Sequence, residues 1–423
     1  MKRYDSYKDS GVKWLGEIPS HWKVRKMKYT FNERSVKGYP SLPLLSATQN
    51  HGVIKKENYE NRTVEATKSL ETLKLVEKWD FVISLRSFQG GIELCHDKGI
   101  ISPAYTVLRP TYITATYFKH LGKSPIFIQL LKSMVTGIRE GQNIDYGKLR
   151  DNLLPIPPIK EQEAIANYLD AATSKIDAAI AQQQKMIDLL NERKQIIINN
   201  AVTKGLDPNV KMKPSGVDWI GDIPEHWKII KTSYVFSHIG SGTTPKSGSE
   251  EYYTDDGIPF LQTGDLNDGY IDKTSRKITE KAIRDTNLKI YPKGSLVIAM
   301  YGATIGKMGI LNIETTVNQA CCVLPESSII DTKFAFYVFS VAKTDLILQS
   351  RGGGQPNISQ DTIKNERVII PPIQEQRSIV SFLNKMAIPI ERSVLIAEKQ
   401  ISLLQERKQI IINDVVTGKV KVV

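Results

Sequence analysis

The side chains best suited to chemistry in this chain are six histidines, three cysteines and one loop that partly matches a phosphate-binding turn. No two histidines have the spacing of a zinc site such as HExxH, and the cysteines show no ligand spacing. The loop GATIGKM at 302–308 has too few residues between its glycines, and Met308 replaces the magnesium-binding hydroxyl. We therefore assign no catalytic residue, no metal site and no nucleotide site. The residues concerned are His21, His51, His96, His120, His226, His238, Cys95, Cys321 and Cys322.

Composition indicates a polyanionic partner. The 423 residues carry 57 Lys and Arg against 45 Asp and Glu, a formal net charge of +12, and the apolar content of 41% is enough for two or three domains. No uninterrupted apolar run could span a membrane, and the N-terminal MKRYDSYKDSG lacks the apolar core of a signal peptide. The sequence therefore predicts a cytoplasmic protein with no membrane partner.

Three phrases of the sequence occur twice. SGVKWLGEIPSHWK at 10–23 returns at 215–228 with ten of fourteen positions identical, and LLNERKQIIINNAVT at 189–203 returns at 403–417 with twelve of fifteen identical. IPPIKEQEAI at 156–165 returns as IPPIQEQRSI at 370–379. The pattern predicts an internal repeat in which each IPxHW phrase is a structural joint, with His21 and His226 in packing roles. The C-terminal TGKVKVV is expected to lie near the N-terminus, where the first joint has no preceding linker.

The stretch between the second and third phrases has the same length in both halves and is predicted to be a long helix. Residues 161–200 contain no Gly or Pro, and apolar or small residues recur in alternating steps of four and three, the pattern of a coiled-coil seam. Pro389 is expected to kink or break the second helix. Antiparallel pairing of the two helices needs the least connecting chain, whereas two unrelated amphipathic helices are the alternative. The predicted seam residues are Ile165, Leu169, Ala172, Ile176, Ala179, Gln183, Met186, Leu190, Ile379, Leu383, Met386, Ile390, Ser393, Ala397, Gln400 and Leu404.

The segments before the two helices, about 26–154 and 231–368, share a pattern more than they share letters. DFVISLRSFQGG at 80–91 and GSLVIAMYGATIG at 294–306 each indicate an apolar strand, a polar turn and glycine. SPAYTVLRP at 102–110 parallels NQACCVLPE at 318–326, and REGQNI at 139–144 parallels RGGGQPNI at 351–358. One scaffold with two sets of turn residues is predicted.

This doubled order of features resembles the DNA-specificity subunit of a Type I restriction-modification enzyme. The resemblance covers essentially the whole chain, and its marks are IPSHWK and IPEHWK, IPPIKEQ and IPPIQEQ, ERKQIIIN twice, and IPFLQTGDLNDGYI with GATIGK in the second half. It implies two target-recognition domains, each reading one half of a split, asymmetric sequence in double-stranded DNA. It also implies recruitment through the helices of two methyltransferase subunits, joined by restriction subunits where these exist.

The resemblance further implies a subunit that performs no chemistry and binds no cofactor. S-adenosylmethionine would belong to the methyltransferase subunits, and ATP and magnesium to the restriction subunits. No Asn/Asp-Pro-Pro-aromatic tetrapeptide, which an adenine methyltransferase would need, occurs in this chain. Two other classes stay open: a stand-alone nuclease, for which only the loop acids Asp255, Asp256 and Asp265 are available, and a scaffold joining two protein ligands.

Candidate DNA-binding residues are polar side chains on the turns of each predicted recognition domain, because base edges are contacted by Arg, Lys, Asn, Gln and hydroxyl side chains. In the first domain they are Arg86, Ser87, Gln89, Tyr105, Gln142 and Asn143. In the second they are Thr243, Thr244, Lys246, Tyr301, Thr304, Gln319, Arg351, Gln355 and Asn357.

The predicted fold class is α+β, with two α/β recognition domains separated by two long antiparallel coiled-coil helices in a pseudo-two-fold repeat. The expected boundaries place the first joint and recognition domain at 1–155 and the first spacer helix at 156–205. The second joint and recognition domain follow at 206–367, and the second spacer helix at 368–423.

Overall fold

The computed structural model describes residues 2–49, 51–58, 69–84, 87–136, 143–349 and 357–422. The chain divides into two compact units, one of Met1–Lys185 with Ala397–Val423 and the other of Met186–Ile396. Each unit contains a sheet-bearing segment and a part of both long helices, which run from Ile159 to Lys204 and from Ile373 to Val416. The mixture of helices and sheets confirms the predicted α+β class.

The two long helices pack against each other within each unit. In the first unit, an ion pair joins Asp177 to Lys408 at 2.7 Å, and a buried cluster holds apolar residues of both helices. In the second unit, Lys194 pairs with Glu391 at 2.5 Å. Later residues of the first helix meet earlier residues of the second, so the antiparallel direction is confirmed. The helix residues in the first cluster are Ile165, Leu169, Ile176, Ile411, Ile412, Val415 and Val416.

Parts of the predicted seam are wrong in detail. Met186 is 49% exposed and its neighbour Ile187 is buried instead, while Ser393 and Gln400 are also exposed. A helix of 3.6 residues per turn drifts away from a strict seven-residue pattern unless it supercoils to follow it. The second helix runs unbroken through Pro389, so of the expected kink or break at that residue the break is wrong.

The main sheets of the two units have the same strand order. In the first unit the order is Phe31–Arg34, Thr106–Pro110, Phe81–Ile83, Glu93–Leu94. In the second it is Gly240–Ser241, Cys321–Leu324, Leu296–Ala299, Met308–Leu311, with Gly269–Ile271 added in parallel at the end. All other neighbours in both sheets are antiparallel. The shared scaffold predicted from DFVISL and SLVIAM is therefore confirmed.

Smaller elements complete each unit. The further strands are Tyr7–Asp9, Glu17–Pro19, Lys23–Lys26, Leu45–Thr48, Gly52–Lys55, Lys74–Val76, Gly99–Ile101, Val135–Thr136, Asn143–Ile144, Leu153–Ile156, Met212–Pro214, Asp222–Pro224, Lys228–Lys231, Tyr253–Leu261, Arg276–Ile278, Thr316–Val317 and Arg367–Ile370. The shorter α-helices are Ser87–Gly90, Ala115–Leu121, Pro125–Ser133, Tyr146–Leu149, Thr232–Val235, Glu280–Thr286, Thr332–Leu348 and Gln360–Asn365. Single 3-10 turns lie at Met27–Tyr29, Lys56–Asn58, Leu70–Thr72 and Thr263–Asp265.

The repeated IPxHW phrase forms the same joint twice. In the first unit the ring nitrogens of His21 and Trp22 contact the carboxylate of Glu161, at 2.8 and 3.0 Å. In the second, His226 and Trp227 contact Glu375 at 2.8 and 2.9 Å. The glutamate belongs to IPPIxEQ, so each joint ties the start of a long helix to the preceding phrase.

The glutamine after each of these glutamates fixes the joint to the recognition segment. Gln162 accepts a hydrogen bond from the backbone N–H of Thr114 at 2.8 Å, and Gln376 accepts one from the backbone N–H of Asp331 at 2.7 Å. Both glutamines are buried and also donate to the carbonyl of the first proline of their own motif. This equivalence explains why EQ is repeated together with the tryptophan phrase.

The C-terminal tail lies beside the N-terminal segment of the first unit, as expected. The backbone N–H of Lys421 donates to the carbonyl of Lys2 at 2.9 Å, and the hydroxyl of Tyr7 donates to the carbonyl of Gly418 at 3.1 Å. Gly418 has a φ of +78°, and a Cβ there would lie 2.3 Å from the ring of Pro19. Only glycine therefore fits between the end of the helix and the joint.

Within the described residues, no helix is both long and apolar enough to cross a membrane. No group of three or more His, Cys, Asp or Glu side chains in that part of the chain is arranged to hold a metal ion.

Candidate nucleic-acid interface

The first edge is the part of the first sheet where strand Phe81–Ile83 ends and strand Thr106–Pro110 begins. The register pairs Ile83 with Thr106, so Tyr105 lies beside the turn that follows Ile83. Gln89 is exposed on the short helix of that turn, whereas Tyr105 is half-buried. The structure therefore brings two of the predicted side chains to one end of one sheet.

Ser87 lies on the same turn but has an internal partner. Its hydroxyl accepts a hydrogen bond from the backbone N–H of Ser84 at 2.9 Å, and the side chain is buried. The carbonyl of Ser87 in turn accepts from the N–H of Gly91 at 2.8 Å. These bonds indicate that Ser87 shapes the turn that presents Gln89.

Gln49 also lies at the first edge and was missed in the sequence. It sits at the tip of the hairpin Leu45–Thr48 and Gly52–Lys55, and its side-chain Nε2 donates to Oε1 of Gln89 at 3.4 Å. Its only signal in the sequence is a polar TQNHG run between two apolar stretches, which is typical of any turn.

The second edge is the corresponding end of the second sheet, where strand Leu296–Ala299 ends beside the start of Cys321–Leu324, and Gly240–Ser241 pairs with the other side of Cys321–Leu324. The hydroxyl of Thr244 donates to Oε1 of Gln319, and the Gln319 side chain also bonds the Tyr301 hydroxyl. Tyr301 pairs with Asn357 through the backbone. Four predicted residues from four distant segments therefore converge at this edge.

The remaining described candidates of the second unit lie on loops near the second edge. Thr243 and Lys246 are exposed in the loop after strand Gly240–Ser241, and Thr304 is half-buried in the loop after Tyr301. The carbonyl of Thr304 accepts from the N–H of Lys307 at 2.9 Å, which closes that loop.

Several candidates lie outside the described residues. They are Arg86, Gln142, Arg351 and Gln355. Asn143 belongs to the strand Asn143–Ile144 by its backbone, and its side chain is likewise outside the description.

A groove in the second unit was not singled out in the sequence. It has a volume of about 520 Å³ and is lined by the cations Arg276 and Lys277, the acids Glu250 and Asp255, and Tyr253 with serine and threonine side chains. The guanidinium of Arg276 lies 5.5 Å from the ring centre of Tyr253. Cationic and hydroxyl groups are the usual contacts to phosphate oxygens, but Glu250 and Asp255 offset the two cations, so the lining carries no net positive charge. The adjacent Arg and Lys in TSRKIT were the available signal.

Burial keeps the titratable groups behind the edges in their neutral forms. Burial raises the pKa of the Cys95 and Cys322 thiols to about 12, and that of the neighbouring Cys321 thiol is also raised. Burial likewise raises the pKa of the Tyr301 hydroxyl, which therefore stays protonated. The thiols are therefore packing groups, since a thiolate is the reactive form.

One repeated scaffold with different polar residues at its two edges defines a two-site recognition protein. Residues 224–396 match the family described as Type I restriction modification DNA specificity domain. A Methanocaldococcus jannaschii protein named "Putative type I restriction enzyme MjaX specificity subunit" is 25% identical over 449 residues, which cover 98% of each chain. The Type I restriction enzyme EcoBI specificity subunit of Escherichia coli is 29% identical over 245 residues, 55% of this chain and 51% of that protein.

A solved structure of the type I R-M system contains a chain with the same fold. The TM-score is 0.71 at 16% identity, over 95% of this chain and 99% of that chain. The resemblance found in the sequence is therefore confirmed: residues 224–396 match the Type I restriction modification DNA specificity domain family. Over its full length the chain is similar to Type I specificity subunits, and these relatives favour neither the nuclease nor the scaffold alternative.

Proposed function

We propose that this chain is the DNA-specificity subunit of a Type I restriction-modification complex and reads a bipartite, asymmetric DNA target. The proposal rests on one observation: the two units share a sheet scaffold but carry different polar residues at their edges. Both sheets share one strand order, whereas Gln49 and Gln89 stand at the first edge and Thr244, Tyr301 and Gln319 at the second. Two unlike edges suit two unlike half-sites.

The polar residues of both edges are our candidates for direct contact with DNA. Described and exposed members are Gln89, Thr243, Lys246, Gln319 and Asn357. Amide and hydroxyl side chains suit base edges, and lysine suits phosphate oxygens. Arg86, Gln142, Asn143, Arg351 and Gln355 stay in the candidate set on the strength of the sequence.

The outer surfaces of the long helices are our candidates for the methyltransferase contacts. In the second unit Ile388, Leu395 and Ile396 are at least half exposed, and in the first unit so are Leu403 and Ile410. Large apolar side chains repeated on an exposed helix face favour protein partners. Two methyltransferase subunits are proposed because the joint and helix occur twice, and restriction subunits would join the same assembly.

The chain itself is proposed to act without a cofactor, in the cytoplasm where DNA is accessible. S-adenosylmethionine would be held by the methyltransferase subunits, and ATP and magnesium by restriction subunits. The proposed division gives this chain recognition and assembly, and leaves bond-making steps to its partners.

Mapping of methylated adenines tests the proposal. The full chain is expressed with its methyltransferase partner in a host free of other adenine methylation. We expect methylation at one split sequence with two unlike halves and a fixed number of unspecified base pairs between them. Methylation without a common sequence, or cleavage of DNA by the purified chain with magnesium alone, contradicts the proposed function.

A further inference from the structure

The first edge carries two glutamines that act as a pair. Gln49 comes from the hairpin tip and Gln89 from the short helix Ser87–Gly90, 40 residues further along the chain. Both side chains are exposed, and their amides are joined by the bond from Gln49 Nε2 to Gln89 Oε1. They line a groove of about 850 Å³ within the first unit.

An ion pair between the half-buried Lys123 and the buried Glu93 fixes the position of Gln49. The ammonium group of Lys123 donates to the backbone carbonyl of Gln49 at 2.7 Å, and to the two carboxylate oxygens of Glu93 at 2.8 and 2.7 Å. These three acceptors match the three protons of an ammonium group. Glu93 is buried in the sheet, so the hairpin tip is tied to the rigid part of the unit.

Gly90 provides the space in which Gln49 reaches Gln89. A Cβ at Gly90 would lie 2.9 Å from Cγ of Gln49, and 3.3 Å from its Nε2. Any side chain at position 90 would therefore displace the Gln49 amide. The fold would tolerate the change, because the displaced group is the end of a flexible side chain.

The bond from Gln49 sets the orientation of the Gln89 amide. With Oε1 turned toward Gln49, Nε2 of Gln89 has no bond to another described residue and can act as a donor, and Oε1 keeps a second lone pair. One donor beside one acceptor matches the major-groove edge of adenine, which presents N7 as acceptor and N6 as donor. Guanine presents two acceptors there, N7 and O6, so it would place its O6 against the Gln89 oxygen.

We propose that Gln89 reads an adenine in the major groove of the first half-site, and that Gln49 is the positioning residue that orients its amide. This inference rests on the proposed function, because it needs the first edge to face DNA. It adds the base identity, the reading residue and the residue that orients it.

The test is adenine-methylation mapping with the full chain and its methyltransferase partner, comparing the wild type with single variants. The half-site read by the first domain is identified beforehand by exchanging residues 26–154. Gln89→Ala should relax one adenine position of that half-site by roughly 5- to 100-fold, and leave the other half-site unchanged. Gln129→Ala removes an exposed glutamine from the helix Pro125–Ser133 of the same unit and serves as the matched control, with no expected change.

Two further variants separate orientation from mere packing. Gln49→Glu keeps the shape but cannot donate to Gln89 Oε1, so its carboxylate should take the Gln89 Nε2 donor and relax the same adenine position. Gly90→Ala should relax that position too, by displacing Gln49, while the thermal midpoint stays near that of the wild type. Neither variant is expected to keep the wild-type preference for adenine at that position.

The outcomes distinguish this inference from the proposed function. If the wild type directs methylation to a split sequence but Gln89→Ala and Gln49→Glu keep every base preference, the adenine assignment is wrong and the proposed function stands. Relaxation at a G·C pair, or equally at all positions, also overturns it. If the wild type directs methylation to no common sequence, the proposed function itself fails.

Discussion

The two edges differ in where their glutamines come from. At the first edge Gln89 follows the strand Phe81–Ile83, which is third in its sheet. At the second edge Gln319 precedes the strand Cys321–Leu324, which is second in a sheet of the same strand order. The same end of the same scaffold thus presents amides from non-equivalent positions. The difference indicates that turn residues vary freely as long as the strand order and the joint are kept.

The joints differ much less than the edges. Each has a histidine and a tryptophan on one glutamate, but Tyr4 donates a third hydrogen bond to Glu161. The offset that relates the two phrases places Asn209 where the first joint has Tyr4. The side chain of Glu161 is accordingly 10% exposed, against 42% for that of Glu375.

The largest expected effect is on the target sequence. Replacing residues 26–154 with the matching segment of another such subunit should change one half of the methylated sequence completely, because the edge is exchanged while the joint and helices stay. Methylation mapping gives the result, and the same exchange at 231–368 is the matched experiment. A change in both halves from either exchange would show that the edges do not read independently.

The next largest effect is on stability, and it tests the likeness of the joints. Trp22 and Trp227 are fully buried, so Trp22→Ala should destabilise the first unit by about 3–5 kcal/mol and Trp227→Ala the second by a similar amount. Hydrogen exchange at strands Phe81–Ile83 and Leu296–Ala299 reports each unit separately. Equal loss of protection in both units from one substitution would contradict two separate joints.

The sequence predicted the joints and the sheets because their signals are local. The repeated phrases marked Trp22 and Glu161, and apolar runs such as DFVISL marked the strands. The seam failed at Met186 because the choice between it and Ile187 depends on how closely the two helices coil, which a step pattern does not specify. Gln49 was missed because its partner lies 40 residues away in the chain, and only the folded sheet brings the two together.

A smaller effect should separate the two joints. Glu161→Gln removes a buried charge that accepts three hydrogen bonds and should cost about 1.5–3 kcal/mol, the range for bonds to charged groups. Glu375→Gln removes a charge that is 42% exposed, where solvent screening limits the loss to below about 1 kcal/mol. Chemical denaturation followed by unit-specific hydrogen exchange measures both. A larger loss from Glu375→Gln would mean that Tyr4 does not strengthen the first joint.

The smallest expected effect concerns pH and a further difference between the sheets. Glu93 pairs with Val82 in the first sheet, and Gly309 pairs with Val297 at the equivalent place in the second. A Cβ at Gly309 would lie 2.7 Å from Ile271, which belongs to the added fifth strand. The first unit thus carries a buried carboxyl at a position where the second unit packs an apolar strand.

Burial gives the first unit two opposed titrations. Burial raises the pKa of the Glu93 carboxyl from 4.5 to about 7, against the attraction of Lys123. Its stabilising contribution is present below pH 4.5 and is lost as the pH rises through about 7. Burial lowers the pKa of His120 from 6.5 to about 4, against the attraction of Asp170. That contribution is present above pH 6.5 and is lost as the pH falls through about 4.

Between pH 4.5 and 6.5 these contributions offset each other, so the wild-type first unit should show little change in stability. In Glu93→Gln, His120 is the one of these two groups that still titrates. The free energy of unfolding of the first unit should then rise with pH by about 1–2 kcal/mol across this window. In His120→Gln, Glu93 is the one that still titrates, and the free energy of unfolding should fall with pH by a similar amount. Unit-specific hydrogen exchange along a pH series measures the slopes. Parallel slopes in the two variants would contradict the opposed titrations, because the sign of each slope follows from which neutral group remains buried, the protonated carboxyl or the deprotonated imidazole.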